Sequence, residues 1–421
     1  MAGRRFQPMR RRDQFRTHYT VLDIGTEFVK ALVVKREGDK GIVLGSSRVR
    51  QGMPDMHAGA VADIQAVIDN CDRALTEAED MCETVPGQAV VGIAGEQVRG
   101  FSTAMTMPRP QLQTPITQAE IATGLQAVQR RALREAVRQM AQDLGVAEIN
   151  VKLVHSVITN VRIDGYAVSN PVGFQGHTLE ITVFNTFAPL THIGALQTIA
   201  QELDLELVAT IAEPYALARA CSTDETQEMG AVFVDVGGGT TDVAVVRHGG
   251  IESTRMFALG GRSFTKRLAT DLSMPLDEAE RFKLAHTEKR LAEEQSVQVH
   301  RALTPTAEVL AQGVVLTLEE VAGEDQLPAG LYLAGGGAAL PEVTEQLLAV
   351  KWMEHMAFNH TPTVRVLGPD DVHGVFDTTG LLVGPQDVTP MALARHAVSL
   401  DAEAADPLGG LMRRVLKTMK V

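Results

Sequence analysis

One short pattern occurs twice in this 421-residue chain, and the two copies lie 212 positions apart. YTVLDIGTEFVKALVV occupies residues 19–34, and AVFVDVGGGTTDVAVV occupies residues 231–246. The shift aligns Asp23 with Asp235 without a gap. In each copy, apolar and β-branched residues flank a short turn that contains glycine, which predicts a β-hairpin. Two copies half a chain apart indicate a duplicated domain with a ligand between its halves.

The two turns suit the binding of a metal-bound phosphate. Each hairpin ends its first strand in aspartate and turns at once through glycine. Because glycine has no Cβ, backbone N–H groups there can approach phosphate oxygens, while the aspartate can hold Mg²⁺ through its water shell. A third glycine turn, AGGG at 334–337, allows the backbone to approach a purine and ribose closely. The chain contains neither the P-loop pattern G-x-x-x-x-G-K-[ST] nor the dinucleotide fingerprint G-x-G-x-x-G.

The order of the motifs, DIGT at 23–26, VDVGGGTTD at 234–242 and LAGGG at 333–337, resembles the phosphate-1, phosphate-2 and adenosine motifs of the actin-like ATPase superfamily. The resemblance implies an α/β, two-lobed actin-like fold of duplicated ribonuclease H-like type, with ATP and Mg²⁺ as cofactors. It implies that Asp23 and Asp235 hold Mg²⁺ through water. The nucleotide-binding residues implied in the two phosphate loops and the adenosine loop are Gly25, Thr26, Gly237, Gly238, Gly239, Thr240, Thr241, Gly335, Gly336 and Gly337.

Three charged residues are further site candidates by resemblance. Glu213, in IAEPYALARA, occupies the place of an E-P motif whose family role is to orient water or the magnesium shell, which makes it the catalytic candidate. A glutamate at a helix N-terminus, favoured by the helix dipole and followed by proline, is the alternative. Glu280 and Lys283, in AERFKLAH, resemble an E-x-x-K helix that meets the nucleotide sugar. As an i, i+3 pair they could equally form a surface salt bridge.

The segment between the hairpins identifies the branch of the superfamily. Thr117 and Glu120 form a T-x-x-E capping box before a helix with one apolar face, and NPVGFQGHTLEITVFNTFA returns the chain to the core. This insertion resembles the small α+β 1C domain of the FtsA family. The subdomains that the resemblance implies are 1A at 18–86 and 177–222, 1C at 87–176, 2A at 223–260 and 329–400, and 2B at 261–328.

The C-terminal segment PLGGLMRRVLKTMKV predicts an amphipathic helix at 407–421 that follows an acidic linker at 401–406. Its apolar residues form one stripe and its basic residues lie opposite, which is typical of a helix that lies in a membrane surface. A terminal helix docked on its own domain, or a helix that binds a partner, are the alternatives. The membrane-binding candidates are Leu408, Leu411, Met412, Arg413, Arg414, Val415, Leu416, Lys417, Met419 and Lys420.

The charge distribution supports a membrane surface as partner. The chain carries a net charge of −13, yet residues 1–16 hold six arginines against one aspartate and residues 407–421 hold four cations and no acid. An acidic body argues against nucleic acid as partner, whereas two basic ends are attracted to an anionic surface. The arm at 1–17 reads as a basic, disordered leader, with a second membrane contact or a nucleic-acid contact as alternatives. It lacks the apolar stretch of a secretory signal. The three cysteines show no metal-binding or disulfide spacing.

The FtsA resemblance implies an ATP-binding cell-division protein that polymerises on the inner face of the cytoplasmic membrane at the division site. Through the C-terminal helix it would anchor the FtsZ ring, with at most slow ATPase activity. The implied partners are the FtsZ C-terminal peptide, other copies of the chain, the anionic membrane, and further divisome proteins through 1C. A PilM-like pilus-assembly protein and a small-molecule kinase of the same fold are the alternatives, although the sequence offers no distinctive catalytic base for the kinase.

Overall fold

The computed structural model describes residues 17–110, 113–247, 249–322, 326–349 and 356–419. The predicted basic arm, apart from its last residue, and Lys420 of the predicted membrane helix lie outside these ranges. The strands are β1 (His18–Ile24), β2 (Phe28–Glu37), β3 (Lys40–Arg50), β4 (Met56–His57), β5 (Ala60–Val61), β6 (Gln88–Ile93), β7 (Arg99–Pro108), β8 (Val151–Ile163), β9 (Tyr166–Ala167), β10 (Thr178–Pro189), β11 (Glu206–Ala212), β12 (Ala231–Val236), β13 (Thr241–Arg247), β14 (Gly250–Phe257), β15 (Gly330–Ala334), β16 (Thr363–Val366) and β17 (Val375–Asp377). The helices are α1 (Ile64–Cys82), α2 (Gln118–Leu144), α3 (Leu190–Glu202), α4 (Glu213–Cys221), α5 (Asp224–Met229), α6 (Gly261–Asp271), α7 (Leu276–Thr287), α8 (Glu293–Ala322), α9 (Pro341–Leu348), α10 (Val388–Ala405) and α11 (Pro407–Met419).

The two predicted hairpins lie in two sheets of matching topology. The first sheet has the order β11-β6-β1-β2-β3-β17, and the second contains β16-β15-β12-β13-β14 followed by β7-β10-β8-β9. In each sheet an antiparallel three-stranded meander pairs, through its first strand, with a parallel strand from later in the chain. This repeated order confirms the predicted α/β fold of two duplicated lobes.

Each lobe has its own apolar core, because its hairpin strands are buried on both faces. The six residues from Ala231 to Val236 are all buried, as are six of the seven in His18–Ile24. The core of the first lobe joins β1, β2 and β6 to α1, α4 and α10. The core of the second joins β12, β13 and β15 to α6, α8 and α9.

Two segments of the chain pack against a different subdomain from the one that the resemblance implies for them. β6, within the predicted 1C range, pairs in parallel with β1 of the first sheet. At the other end of the chain, β17 pairs with β3, and α10 buries Met391, Leu393 and Ala397 in the first core, although residues up to 400 were assigned to 2A. Both stretches supply apolar surface that covers the central hairpin of the first lobe.

The inserted segment forms a small unit of β7, β10, β8 and α2. Thr117 Oγ1 accepts from the Glu120 backbone, and the Glu120 side chain accepts from the Thr117 backbone, so the predicted capping box begins α2. The predicted apolar face of this helix is fully buried at Ile121, Leu125 and Val128. The unit meets the second lobe where β7 pairs with β14.

The predicted linker at 401–406 is a helical turn instead. α10 continues through Ala405, and Asp406 is its C-cap residue before α11 begins at Pro407. The alanine and glutamate residues of this acidic run have high helix propensity, and no glycine or proline interrupts it before residue 407. The connection between α10 and α11 is therefore one residue long.

Candidate nucleotide site

The two hairpins turn in the same way. The Gly25 amide donates to the Phe28 carbonyl at 3.0 Å, and the Gly237 amide donates to the Thr240 carbonyl at 2.9 Å. These two hydrogen bonds are related by the same shift of 212 positions that relates the sequences. The duplicated pattern therefore specifies the turn conformation as well as the strands.

The tips of the turns pack directly against each other. A Cβ placed on Gly238 would lie 2.7 Å from Glu27 Cβ, and one on Gly239 would lie 2.7 Å from the Thr26 side chain. In the described part of the chain, no hydrogen bond engages the amides of Gly238, Gly239 and Thr240. The contact thus requires glycine for steric reasons and leaves N–H groups that can bind an anion.

In each hairpin, the aspartate that ends the first strand has a charged residue as its partner on the second strand. Asp23 pairs in register with Lys30, whose Nζ lies 2.8 Å from Asp23 Oδ2. Burial lowers the pKa of Lys30, but the Asp23 carboxylate, together with Asp235 and Asp387, outweighs burial, and the pKa of Lys30 is raised overall. Asp235 pairs with Asp242 in the equivalent register and accepts a hydrogen bond from the Thr389 hydroxyl.

Buried carboxyl groups give this region an excess of negative charge. Burial raises the pKa of Glu213 well above its usual value, and Asp23, Asp242 and Asp235 raise it further. Burial, with Asp235 and Asp23, also raises the pKa of Asp242 well above its usual value. The pKa of Asp235 is raised by burial as well, against the lowering effects of Thr389 and Lys30. Lys30 is the cation that faces this cluster.

The neighbouring side chains leave part of this carboxylate cluster without hydrogen bonds, and a divalent cation could bind there. Among the described residues, Asp242 Oδ1 is buried without a hydrogen-bond partner. A buried acceptor of this kind costs about 1–3 kcal/mol. Carboxylate oxygens are the ligands that Mg²⁺ takes in proteins, directly or through water. Asp23, Asp235 and Asp242 therefore supply a suitable donor set.

The third glycine turn closes the site from the second lobe. Gly335 has φ +83°, and a Cβ on it would lie 2.1 Å from Asp235 Oδ1. A Cβ on Gly337 would lie 2.4 Å from the Val236 side chain. A Cβ on Gly336 would make only an ordinary contact, 3.8 Å from Gln386 Cβ. The turn is therefore pressed against the end of β12, with Gly336 facing outward.

Glu280 and Lys283 form the i, i+3 pair that the sequence left as an alternative, but the pair is not on the surface. Lys283 Nζ lies 2.7 Å from Glu280 Oε2 and donates to the Thr265 hydroxyl at 2.9 Å and the Gly261 carbonyl at 3.2 Å. Their side chains are only 10% and 12% exposed. The pair stands beside the second hairpin turn, since Gly261 contacts that turn through its amide and the Gly237 carbonyl.

These groups surround one cavity of about 390 Å³. Thr241 is turned away, because its hydroxyl donates to the Leu259 carbonyl, and Gly239 is covered by Thr26. The predicted residues that line the cavity are Asp23, Gly25, Thr26, Glu213, Asp235, Gly237, Gly238, Thr240, Glu280, Lys283, Gly335, Gly336 and Gly337.

The lining also includes residues that were not assigned from sequence, among them Lys30, Asp242, Arg262, Gln386 and Thr389. Lys30 and Asp242 occupy equivalent positions in the repeat, so the alignment of the two copies could have identified both as site residues. Arg262 joins the lobes, because it donates to Glu27 Oε2 at 2.7 Å and to the Thr26 carbonyl at 2.6 Å. Gln386 and Thr389 come from a distant segment that has no recognisable motif.

The predicted membrane helix is docked on the inserted unit. Leu408, Leu411, Met412 and Val415 of α11 are buried in one cluster with apolar residues of α2, β8 and β10. The groove takes up the apolar stripe, so the structure matches the docked-helix alternative, and membrane binding by this helix stays a prediction. The basic residues Arg413, Arg414 and Lys417 stay exposed on the opposite face.

No helix within the described residues is both long and apolar enough to cross a bilayer.

Comparison with known proteins finds two family models that match parts of the chain. The family model described as "Cell division protein FtsA" matches residues 232–381, and the model described as "MreB/Mbl protein" matches residues 181–272. FtsA of Neisseria meningitidis serogroup B is 25% identical, with 95% of each chain covered. FtsA of Pseudomonas aeruginosa is 27% identical over 77% of this chain and 78% of its own length.

Solved structures agree on the fold. A structure titled "PilM-PilN type IV pilus biogenesis complex" has a TM-score of 0.64 at 18% identity and covers 91% of this chain and 99% of its own. The ethanolamine utilization protein EutJ from Carboxydothermus hydrogenoformans has a TM-score of 0.50 at 17% identity and covers 90% and 89%. With its duplicated hairpins and its sequence relatives, the chain belongs to the actin-like ATPase superfamily and is related there to the FtsA cell-division proteins.

Proposed function

We propose that the cavity between the hairpins binds ATP with Mg²⁺. The observation that carries the proposal is the facing pair of glycine turns, with free amides on one side and unbalanced buried carboxylates below them. Gly25, Thr26 and Gly237–Thr240 would hold the phosphates, and Gly335–Gly337 the adenosine. Asp23, Asp235 and Asp242 would hold Mg²⁺, whose charge neutralises the phosphates.

Glu213 is the proposed catalytic residue, and its raised pKa should make ATP hydrolysis slow. Because the pKa of Glu213 is raised well above its usual value, this carboxyl holds a proton more readily than an exposed glutamate. It can then donate a hydrogen bond and orient water, but it is a poor general base until a cation enters the cluster. We expect slow ATP hydrolysis, as suits a structural protein.

Nucleotide binding would favour the closed arrangement of the lobes. Thr26 and Glu27 of the first lobe touch Gly238 and Gly239 of the second, so a ligand on both turns stabilises their contact. We propose that this closed state self-associates into filaments. The FtsA relatives support a role in cell division. The proposed partners are the FtsZ C-terminal peptide and, at the inserted unit, other divisome proteins.

The subdomains are proposed with boundaries adjusted to the strand pairing. 1A would take in β6, β17 and α10, because these elements cover the first hairpin. 1C would begin after β6, and 2B would comprise α6, α7 and α8. Polymerisation would place the exposed basic face of α11 toward the cytoplasmic face of the membrane.

Membrane anchoring requires α11 to leave its groove. Lipid offers the apolar stripe an environment equivalent to the groove, so burial of the stripe alone favours neither state. The basic face adds roughly 1 kcal/mol per cation near anionic lipid. The acidic remainder of the chain and the apolar groove that α11 would leave uncovered oppose this gain. We therefore expect a monomer to bind weakly, whereas a filament that carries many tails binds through avidity. The proposed anchor is thus a helix that the filament transfers from groove to membrane.

Co-sedimentation of the full chain with anionic liposomes, with and without ATP and Mg²⁺, tests this function. We expect ATP-dependent binding that Arg414→Glu with Lys417→Glu abolishes, because both residues are exposed and the buried stripe is unchanged. Arg130→Glu with Arg134→Glu on α2 is the matched control, since it changes the charge equally at exposed positions. Equal loss of binding in both double variants would contradict a specific anchor.

The likeness to the PilM–PilN structure favours a pilus-assembly protein as the second candidate. An FtsZ C-terminal peptide separates the two, because the cell-division proposal requires saturable binding of this peptide and the pilus proposal does not. A small-molecule kinase of the same fold would instead transfer phosphate to small acceptors at a robust rate.

A further inference from the structure

Two histidines and a buried glutamate meet behind the candidate nucleotide cavity. His286 lies on α7, His300 on α8 and Glu342 on α9. His286 Nε2 is 2.8 Å from Glu342 Oε1, and His300 Nδ1 is 2.9 Å from the same oxygen. One ligand atom from each residue lies within 4.8 Å of the others. Three different helices therefore present imidazole and carboxylate groups to one point.

The hydrogen bonds in this cluster leave the carboxylate only half satisfied. The Glu342 side chain is fully buried, and its Oε2 has no hydrogen-bond partner among the residues that the structure describes. Both histidines instead crowd Oε1. A purely structural glutamate at this position would leave a buried acceptor unpaired, at a cost of about 1–3 kcal/mol. The arrangement is better explained by a ligand that both carboxylate oxygens can face.

The outer contacts prepare each imidazole to bind a cation. The Nδ1 atom of His286 lies 3.0 Å from Ser296 Oγ, which leaves Nε2 for the cluster. On the other ring, His300 Nε2 faces Glu345 Oε2 at 3.6 Å, which leaves Nδ1 for the cluster. Histidines that bind metals almost always direct their second ring nitrogen to an oxygen acceptor, which fixes the tautomer.

From this geometry we infer that His286, His300 and Glu342 form a binding site for a transition-metal dication of the Zn²⁺ class. Two imidazole nitrogens and one carboxylate suit Zn²⁺, Co²⁺ or Ni²⁺ and are poor ligands for Mg²⁺. Metal–ligand bonds of about 2.0–2.1 Å place tetrahedral ligands roughly 3.3 Å apart, so the ligand atoms need to separate by about half an ångström. His300 is half exposed, which provides an entry path and a fourth, solvent position.

The site would connect α7, which lines the nucleotide cavity, to α8 and α9. α7 carries Glu280 and Lys283, and α9 follows the glycine turn at 335–337. A metal ion joined to both helices and to α8 would fix the rear wall of this cavity. The inference does not depend on the proposed nucleotide, because its ligands are separate from the carboxylates between the hairpins.

Calorimetric titration of the chelator-treated full chain with ZnCl₂, in excess Mg²⁺ and without nucleotide, tests the site. Excess Mg²⁺ occupies oxygen-only sites and restricts the measurement to nitrogen-containing ones. We expect one Zn²⁺ per chain, and His300→Ala should weaken binding roughly 100-fold without unfolding the chain, since this side chain is 42% exposed. His360→Ala, at another exposed histidine, is the matched control and should bind as the wild type does.

Thermal unfolding with and without Zn²⁺ tests the buried ligand Glu342 as well. Zn²⁺ should raise the thermal midpoint of the wild type and of His360→Ala but not that of His300→Ala or Glu342→Gln, because a ligand stabilises only the fold that binds it. Visible absorption of the Co²⁺-loaded chain should disappear in the same two variants. Absence of stoichiometric Zn²⁺ binding, or unchanged binding in His300→Ala, would overturn the inference.

Discussion

At the scale of single residues, Asp242 shows how the site is built at the expense of stability. The sequence repeat places Asp242 at the position equivalent to Lys30, but its role emerges only from burial beside Asp235 and Asp23. A carboxylate in such surroundings destabilises the ligand-free fold and becomes useful only when a cation arrives. Stabilising substitutions at functional sites commonly carry this cost in activity.

Asp242→Asn should therefore stabilise the ligand-free chain by roughly 0.5–2 kcal/mol while weakening the binding of ATP with Mg²⁺ at least tenfold. The folded pKa of Asp242 is raised, so the stability that protonation provides is complete below its unfolded pKa and is lost as pH rises through the folded pKa. The advantage of the variant should thus grow with pH. Urea unfolding at a series of pH values measures it, and an advantage that shrinks toward high pH would refute this explanation.

Gly335 gives a second test at this scale. Gly335→Ala forces a side chain into a left-handed backbone conformation and against Asp235 Oδ1, so we expect a loss of about 1–3 kcal/mol in the free energy of unfolding. Gly336→Ala should change it by less than about 0.5 kcal/mol, because the new Cβ would only make an ordinary contact with Gln386 Cβ, at 3.8 Å. Denaturant unfolding of both variants without nucleotide decides the point; equal losses would show that the turn is not packed as described.

At the scale of elements, local sequence signals were sufficient for the hairpins and for α2. The turns depend on neighbouring residues, and the capping box of Thr117 and Glu120 lies within four positions. The docking of α11 was not predictable in the same way, because its groove is formed by α2, β8 and β10, far away in the sequence. An amphipathic stripe specifies that a helix buries one face, but not against which surface.

Locking α11 in its groove tests the proposed transfer to the membrane. Ser156 Oγ lies 3.9 Å from Met412 Sδ, so Ser156→Cys with Met412→Cys provides two thiols across the interface. A short thiol cross-linker should then abolish ATP-dependent liposome binding, whereas the uncross-linked double variant should retain most of it. Each single variant treated in the same way controls for modification alone. Liposome binding by the cross-linked chain would mean that α11 does not have to leave its groove.

At the scale of the whole molecule, the duplication predicted both the lobes and the cleft between them. The fold class followed from the repeat because two equal units must meet at a shared face. The exact membership of the lobes did not follow, since β17 and α10 return to the first lobe from the far end of the chain. The cluster of His286, His300 and Glu342 was hidden for a similar reason, because its members lie on three different helices and 42 positions separate His300 from Glu342.

Isothermal titration of the full chain with ATP in the presence of Mg²⁺ tests the central claim most directly. We expect one nucleotide per chain and a loss of affinity of roughly 100-fold or more in Asp235→Ala. This variant should stay folded, because it removes a buried carboxylate whose pKa is raised by burial. Asp377→Ala, an aspartate on β17 outside the residues that line the cavity, should bind ATP as the wild type does. No measurable uptake by the wild type, or equal affinity in Asp235→Ala, would contradict a nucleotide site between the two hairpins.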